Sequence, residues 1–121
     1  MKKIFVTIFL CSVLFVSIAR AENVLDAGRL APEAYTVVFE NDKMRSLEIH
    51  LKKGAKTVLH SHPDHYMYAF SDAKLKVADA DGVTSEILVK SGQNYWKNAE
   101  THSVQNIGNE EFFGLLIEIK N

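Results

Sequence analysis

In Gly54-Ala55-Lys56-Thr57-Val58-Leu59-His60-Ser61-His62-Pro63-Asp64-His65-Tyr66-Met67-Tyr68-Ala69-Phe70, two histidines stand one residue apart. A Pro-Asp break and a third histidine follow at once. Side chains on a β-strand alternate between faces with period two, so His60 and His62 point the same way. Pro63-Asp64 ends that strand, and His65 opens the next run. A second segment, Gly92-x9-His102-Ser103-Val104-Gln105-Asn106, carries a fourth histidine. Imidazoles gathered from such segments supply the shell of a first-row divalent metal.

On both sides of these segments the chain reads as short strands punctuated by turn residues. Tyr35–Glu40 is rich in Val and aromatics and stops at Asn41-Asp42. Met44–Leu51 alternates, with Leu47, Ile49 and Leu51 on one face and Glu48 and His50 on the other. Lys52-Lys53-Gly54 turns into a strand over Thr57–His62. His65–Phe70, Lys74–Ala78 and Val83–Val89 follow. The last two are joined by Asp79-Ala80-Asp81-Gly82, whose Asp-Gly is a hairpin signal. Gln93–Trp96 and His102–Asn106 flank a polar loop, Lys97–Thr101, and Glu111–Lys120 closes the series. No long stretch has a 3.6-residue period. Many short strands at a spacing of ~8–12 residues argue for an all-β sandwich or barrel. A double-sheet jelly roll also limits exposed edges.

The first residues have another character. Lys2-Lys3, the apolar run Ile4–Ile18 and Ala19-Arg20-Ala21 read as a secretory signal peptide, residues 1–21, cleaved after Ala21. The alternative is an uncleaved N-terminal anchor, although the run falls short of the ~20 residues that span a bilayer. Cleavage leaves 100 residues, enough for one core. It removes Cys11, the only cysteine, so the mature protein has neither a disulfide nor a thiolate ligand. It also moves the formal net charge from −1 to −4, because three cations and no acid leave. The remaining Lys and Arg residues are scattered, which argues against nucleic-acid binding. No further apolar run is long enough for a membrane. The expected location is the periplasm or the exterior. Residues 22–34 form a lead-in without clear periodicity, and 35–121 form the domain.

These segments resemble the two motifs of the cupin superfamily, in particular its small single-domain members. The first motif is Gly-x5-His-x-His, then three or four residues, Glu, six residues and Gly. Gly54, His60 and His62 fit its opening. The second is Gly-x5-Pro-x-Gly-x2-His-x3-Asn, fitted by Gly92, His102 and Asn106 with one residue fewer before the His. The likeness runs from about Val37 to Ile119. It implies a double-stranded β-helix, or jelly-roll barrel, and a site for iron, manganese, nickel, zinc or copper held by three His and one Glu. His60, His62 and His102 match the three imidazole ligands. The carboxylate has no counterpart, since Tyr66 or Met67 stands at its spacing. Aligning Tyr68-Ala69-Phe70 with the family's Tyr-Val-Leu strand puts His65 near the missing Glu. His65 is therefore either a fourth metal ligand or a surface residue of the loop. The set is a metal shell or a metal-free histidine cluster inside the barrel.

Other residues have plainer readings. His50 alternates away from the apolar face and reads as surface. Asp64 reads as an exposed turn residue and Glu100 as a solvated loop carboxylate. Tyr66, Tyr68, Phe70, Tyr95 and Trp96 read as packing between sheets or as pocket lining. Phe112, Phe113, Leu115, Leu116 and Ile117 form a near-continuous apolar run. It suggests a strand covered on both faces, by the core alone or by a second copy in a homodimer. The expected function is binding of a divalent metal, a small molecule, or both. The alternatives are a metal-dependent dioxygenase or isomerase, and a metal-free structural or interaction protein.

Overall fold

The computed structural model describes residues 25–121, so the signal-peptide reading lies outside the described residues. A one-turn helix, α1 (Ala27–Leu30), precedes nine strands. These are β1 (Tyr35–Glu40), β2 (Met44–Leu51), β3 (His60–His62), β4 (His65–Ala69), β5 (Ala73–Asp79), β6 (Thr84–Val89), β7 (Asn94–Lys97), β8 (Glu100–Asn106) and β9 (Phe112–Ile119). They form two antiparallel sheets, ordered β1-β2-β9-β4-β7 and β3-β8-β5-β6. Both sheets take strands from early and late in the chain, as the two halves of a jelly roll do.

Local chemistry sets the turns. The Asn41 carboxamide accepts from the amides of Lys43 and Met44 at 2.8 and 2.9 Å and closes the β1–β2 hairpin. The Asp79 carboxylate does the same for Asp81 and Val83, and Gly82 takes the positive φ of +82° that the β5–β6 turn requires. Asn106, fully buried, donates to the carbonyls of Leu51 and Glu110 and accepts from the Gly108 amide. The last residue of the second motif is thus a structural lock on the turn into β9.

The core lies between the sheets. Leu47, Leu51, Phe112 and Leu116 from one sheet meet Leu75, Val89 and Val104 from the other. Several expectations need correction. The strand expected over Thr57–His62 is regular only at His60–His62, although Lys56 keeps a single bridge to Gln105. The polar loop expected over Lys97–Thr101 shrinks to residues 98–99, because Glu100 and Thr101 pair with His62 and Ser61. The lead-in forms α1, capped by Asp26, and buries Ala27, Ala31 and Ala34. The two faces of β9 differ: Phe112, Gly114, Leu116 and Glu118 are buried, Leu115, Ile117 and Ile119 are half-buried, and Phe113 is 42% exposed. Its other edge of alternation lies on the outer side of the five-stranded sheet. Phe70 and Trp96 are also outside, 54% and 55% exposed, rather than between the sheets.

Candidate metal centre

β3 and β8 are neighbours in one sheet, with His60 directly opposite His102. The three histidines therefore come from adjacent strands of one sheet. The period-two rule puts His62 on the inner face with His60, and the pairing adds His102. Their candidate ligand nitrogens all lie within 4.8 Å of one another. Tyr35 reaches in from the opposite sheet, with its ring 5.0 Å from His60 and 5.2 Å from His62.

Each imidazole has an oxygen partner at Nδ1. His60 donates to the Val58 carbonyl at 2.8 Å, and His62 to the Glu118 carboxylate at 2.8 Å. His102 Nδ1 lies 2.8 Å from Glu100 Oε1. A carbonyl or carboxylate can only accept, so Nδ1 carries the proton and Nε2 keeps its lone pair. The buried Nε2 atoms of His60 and His102 have no hydrogen-bond partner. Orphaned buried polar atoms are costly, and a shared cation satisfies them. Burial pushes His60 down to about 4, helped by the neighbouring imidazoles and opposed by the Val58 carbonyl. Burial also lowers His62, against the pull of Glu118. Both effects favour the neutral form that binds metal.

His65 is inside the barrel, 3% exposed, and not on a surface loop. Its Nδ1 donates to the Pro63 carbonyl at 2.7 Å, and its ring centre is 5.1 Å from that of His62. It stands beside the group formed by His60, His62 and His102. Asp64 accepts from the Ala99 amide at 2.8 Å and so holds the β7–β8 turn. His50 stays outside, stacked on Phe113 and 3.1 Å from Glu111.

Glu100 is no solvated loop residue. It sits on β8 with its side chain 26% exposed and holds His102. Burial alone would raise its carboxyl, but the hydrogen bond and charge of His102, with Lys97, bring it down to about 2. Glu118 was missed. It is 2% exposed and binds Arg45, which in turn binds Asp26. The parity of β9 could have revealed it, because Glu118 continues the inward series Phe112, Gly114, Leu116. Arg45 likewise shares parity with Leu47, Ile49 and Leu51.

A cavity of about 80 Å³ adjoins the centre, lined by His62, His65 and His102 and by apolar side chains such as Leu51, Met67 and Phe112. A 190 Å³ outer cleft shares Val77, Lys97, Glu100 and His102 with it, so these four stand at the mouth.

With this geometry, the barrel matches solved structures. A cupin domain from Bordetella pertussis Tohama I aligns with a TM-score of 0.66 and 25% identity, over 72% of this chain and 92% of that one. An RmlC-like cupin family protein with a double-stranded β-helix fold, from Methanocaldococcus jannaschii, aligns with a TM-score of 0.58 and 11% identity. That match covers 72% of this chain and 79% of the other. The fold is that of the cupin superfamily. No family model and no curated protein matches the chain. The cupin barrel accounts for the position of the site, and its donor set is this chain's own. Three imidazoles that could hold a metal are present, and Tyr66 or Met67 stands at the spacing of the carboxylate after the His-x-His.

Proposed function

We propose that this cupin binds one divalent first-row metal through His60, His62 and His102, and a small molecule in the adjoining cavity. The observation that carries this reading is the pair of orphaned Nε2 atoms on His60 and His102, buried and converging with His62. Neutral imidazoles suit iron, nickel, copper and zinc, and manganese less well. When bound, the ion would supply a Lewis-acid centre with positions left for exchangeable ligands. The residues of the chain do the rest. Nδ1 contacts hold each ring in the ligating tautomer, and the apolar lining excludes water from one side. A cavity of 80 Å³ is smaller than the ~150 Å³ that takes benzene. A ligand therefore buries only a few heavy atoms and leaves the rest at Lys97 and Glu100.

His65 supports a second reading, that of an enzyme acting on a small organic substrate. Its Nδ1 is occupied by Pro63, so Nε2 is an acceptor on the cavity wall and could take a proton from a bound molecule. Within the binding reading, the same atom is the candidate fourth ligand. Export to the periplasm or beyond, after cleavage at Ala21, is part of the proposal and rests on the sequence of residues 1–21. Metal analysis of the protein purified from its own compartment without chelators tests the function. About one equivalent of metal per chain is expected, lost in His60→Ala and His102→Ala. A folded wild-type protein without metal, unable to take up any of the five ions, contradicts it.

A further inference from the structure

We propose that Glu118 is the positioning residue of the histidine centre, and that it acts as the inner end of a charge chain anchored by Asp26 in the N-terminal segment. This rests on the metal-binding reading above. His60 and His65 find their Nδ1 acceptors two residues back in their own chain, at Val58 and Pro63. Such contacts come with the local backbone. The His62 acceptor comes from β9, fifty-six residues on. Nothing local replaces it.

Glu118 is a buried carboxylate, which is stable only when fully paired. Arg45 pairs it: Nε and Nη2 reach Oε1 at 2.9 and 2.6 Å, which leaves Oε2 for His62. The same guanidinium holds both oxygens of Asp26. Two carboxylates on one guanidinium leave one net negative charge, and Glu118 presents it to the ring of His62. A cation on the far side of that ring balances the charge. A neutral carbonyl at the same place would fix the tautomer but not supply the charge.

The outer end of the chain is fixed by the segment around α1. Asp26 caps the helix through the Arg29 amide at 3.1 Å. The Leu25 carbonyl accepts from the Ser61 amide at 2.7 Å, between His60 and His62. The segment thus grips the His-x-His strand through its backbone and, by way of Arg45 and Glu118, through the ring of His62.

The test uses the full chain, with Glu118→Gln and Asp26→Asn. Nitrogen-15 NMR of the metal-free protein reads the His62 tautomer, and competition with a chelator reads zinc affinity. In the wild type His62 is expected as the Nδ1–H form. E118Q should mix the tautomers and lower zinc affinity about 10–100-fold. D26N should shift both in the same direction by less. E118Q with the wild-type tautomer and zinc affinity within twofold of wild type overturns the proposal. If E118Q does not fold, D26N carries the test, and no change in either readout overturns it. The tautomer is read without metal. A wild-type protein that takes up no zinc therefore sinks the metal reading, while the NMR still decides whether Glu118 sets the ring.

Discussion

Two histidine–carboxylate pairs of the same length serve the centre and differ in what surrounds them. His62–Glu118 and His102–Glu100 are both 2.8 Å. Glu118 is 2% exposed and held by Arg45, whereas Glu100 is at the mouth, with Lys97 3.8 Å away. A buried pair is fixed in geometry and costly to break, and a wetted pair is screened and adjustable. The centre therefore has a rigid floor and a yielding rim. Exchange of ligands belongs at the rim.

The largest effect should come from removing a ligand. His62→Ala takes away one of three donors, and its loss of metal affinity should exceed the about 10–100-fold typical of an outer partner. Isothermal titration with zinc measures it. A His65→Ala protein that loses as much would make His65 a fourth ligand; one that keeps zinc affinity would leave it as a wall residue.

The comparison of floor and rim is sharpened by stability without metal. Glu118→Gln breaks a buried charge network and should cost about 3 kcal/mol. Glu100→Gln, in a half-open site, should cost less than that. Urea unfolding at neutral pH compares them, and equal costs would erase the distinction.

Acid adds a third contrast. His60 is held down to about 4, below the ~6.5 of an unfolded chain. Its neutral form is favoured by the fold, so its contribution is complete above pH 6.5. That contribution drains away as pH falls from 6.5 towards 4, by up to about 3 kcal/mol. Glu100, held at about 2, contributes above the unfolded carboxylate range and loses that only as pH falls through 4.5 towards 2. Metal-free melting temperatures should therefore begin to drop near pH 6.5, and His60→Ala should flatten that limb.

The smallest effect belongs to His50→Ala. The His50 side chain stacks on Phe113 and reaches Glu111 on the outside, so stability should change by less than about 1 kcal/mol and zinc affinity not at all.

The β architecture was legible because apolar alternation in Met44–Leu51 and the turns at Gly54, Gly82 and Gly92 each carry a local cause. The three histidines were legible because period two and motif spacing act over short distances. The partners of those histidines were not. Glu118, Arg45 and Asp26 are brought together by strand pairing between distant parts of the chain, and only parity hinted at them. The long apolar run in β9 was legible as a strand, but composition alone does not tell which of its faces turns to the core. Register also decided Glu100, which pairing with His62 lifts from a loop onto a strand.

X-ray absorption of the zinc-loaded protein tests the central claim most directly. Three imidazole nitrogens at about 2.0–2.1 Å, one of them lost in each of His60→Ala, His62→Ala and His102→Ala where zinc is retained, is the predicted result. A zinc shell of oxygens alone, or one unchanged by all three substitutions, would contradict it.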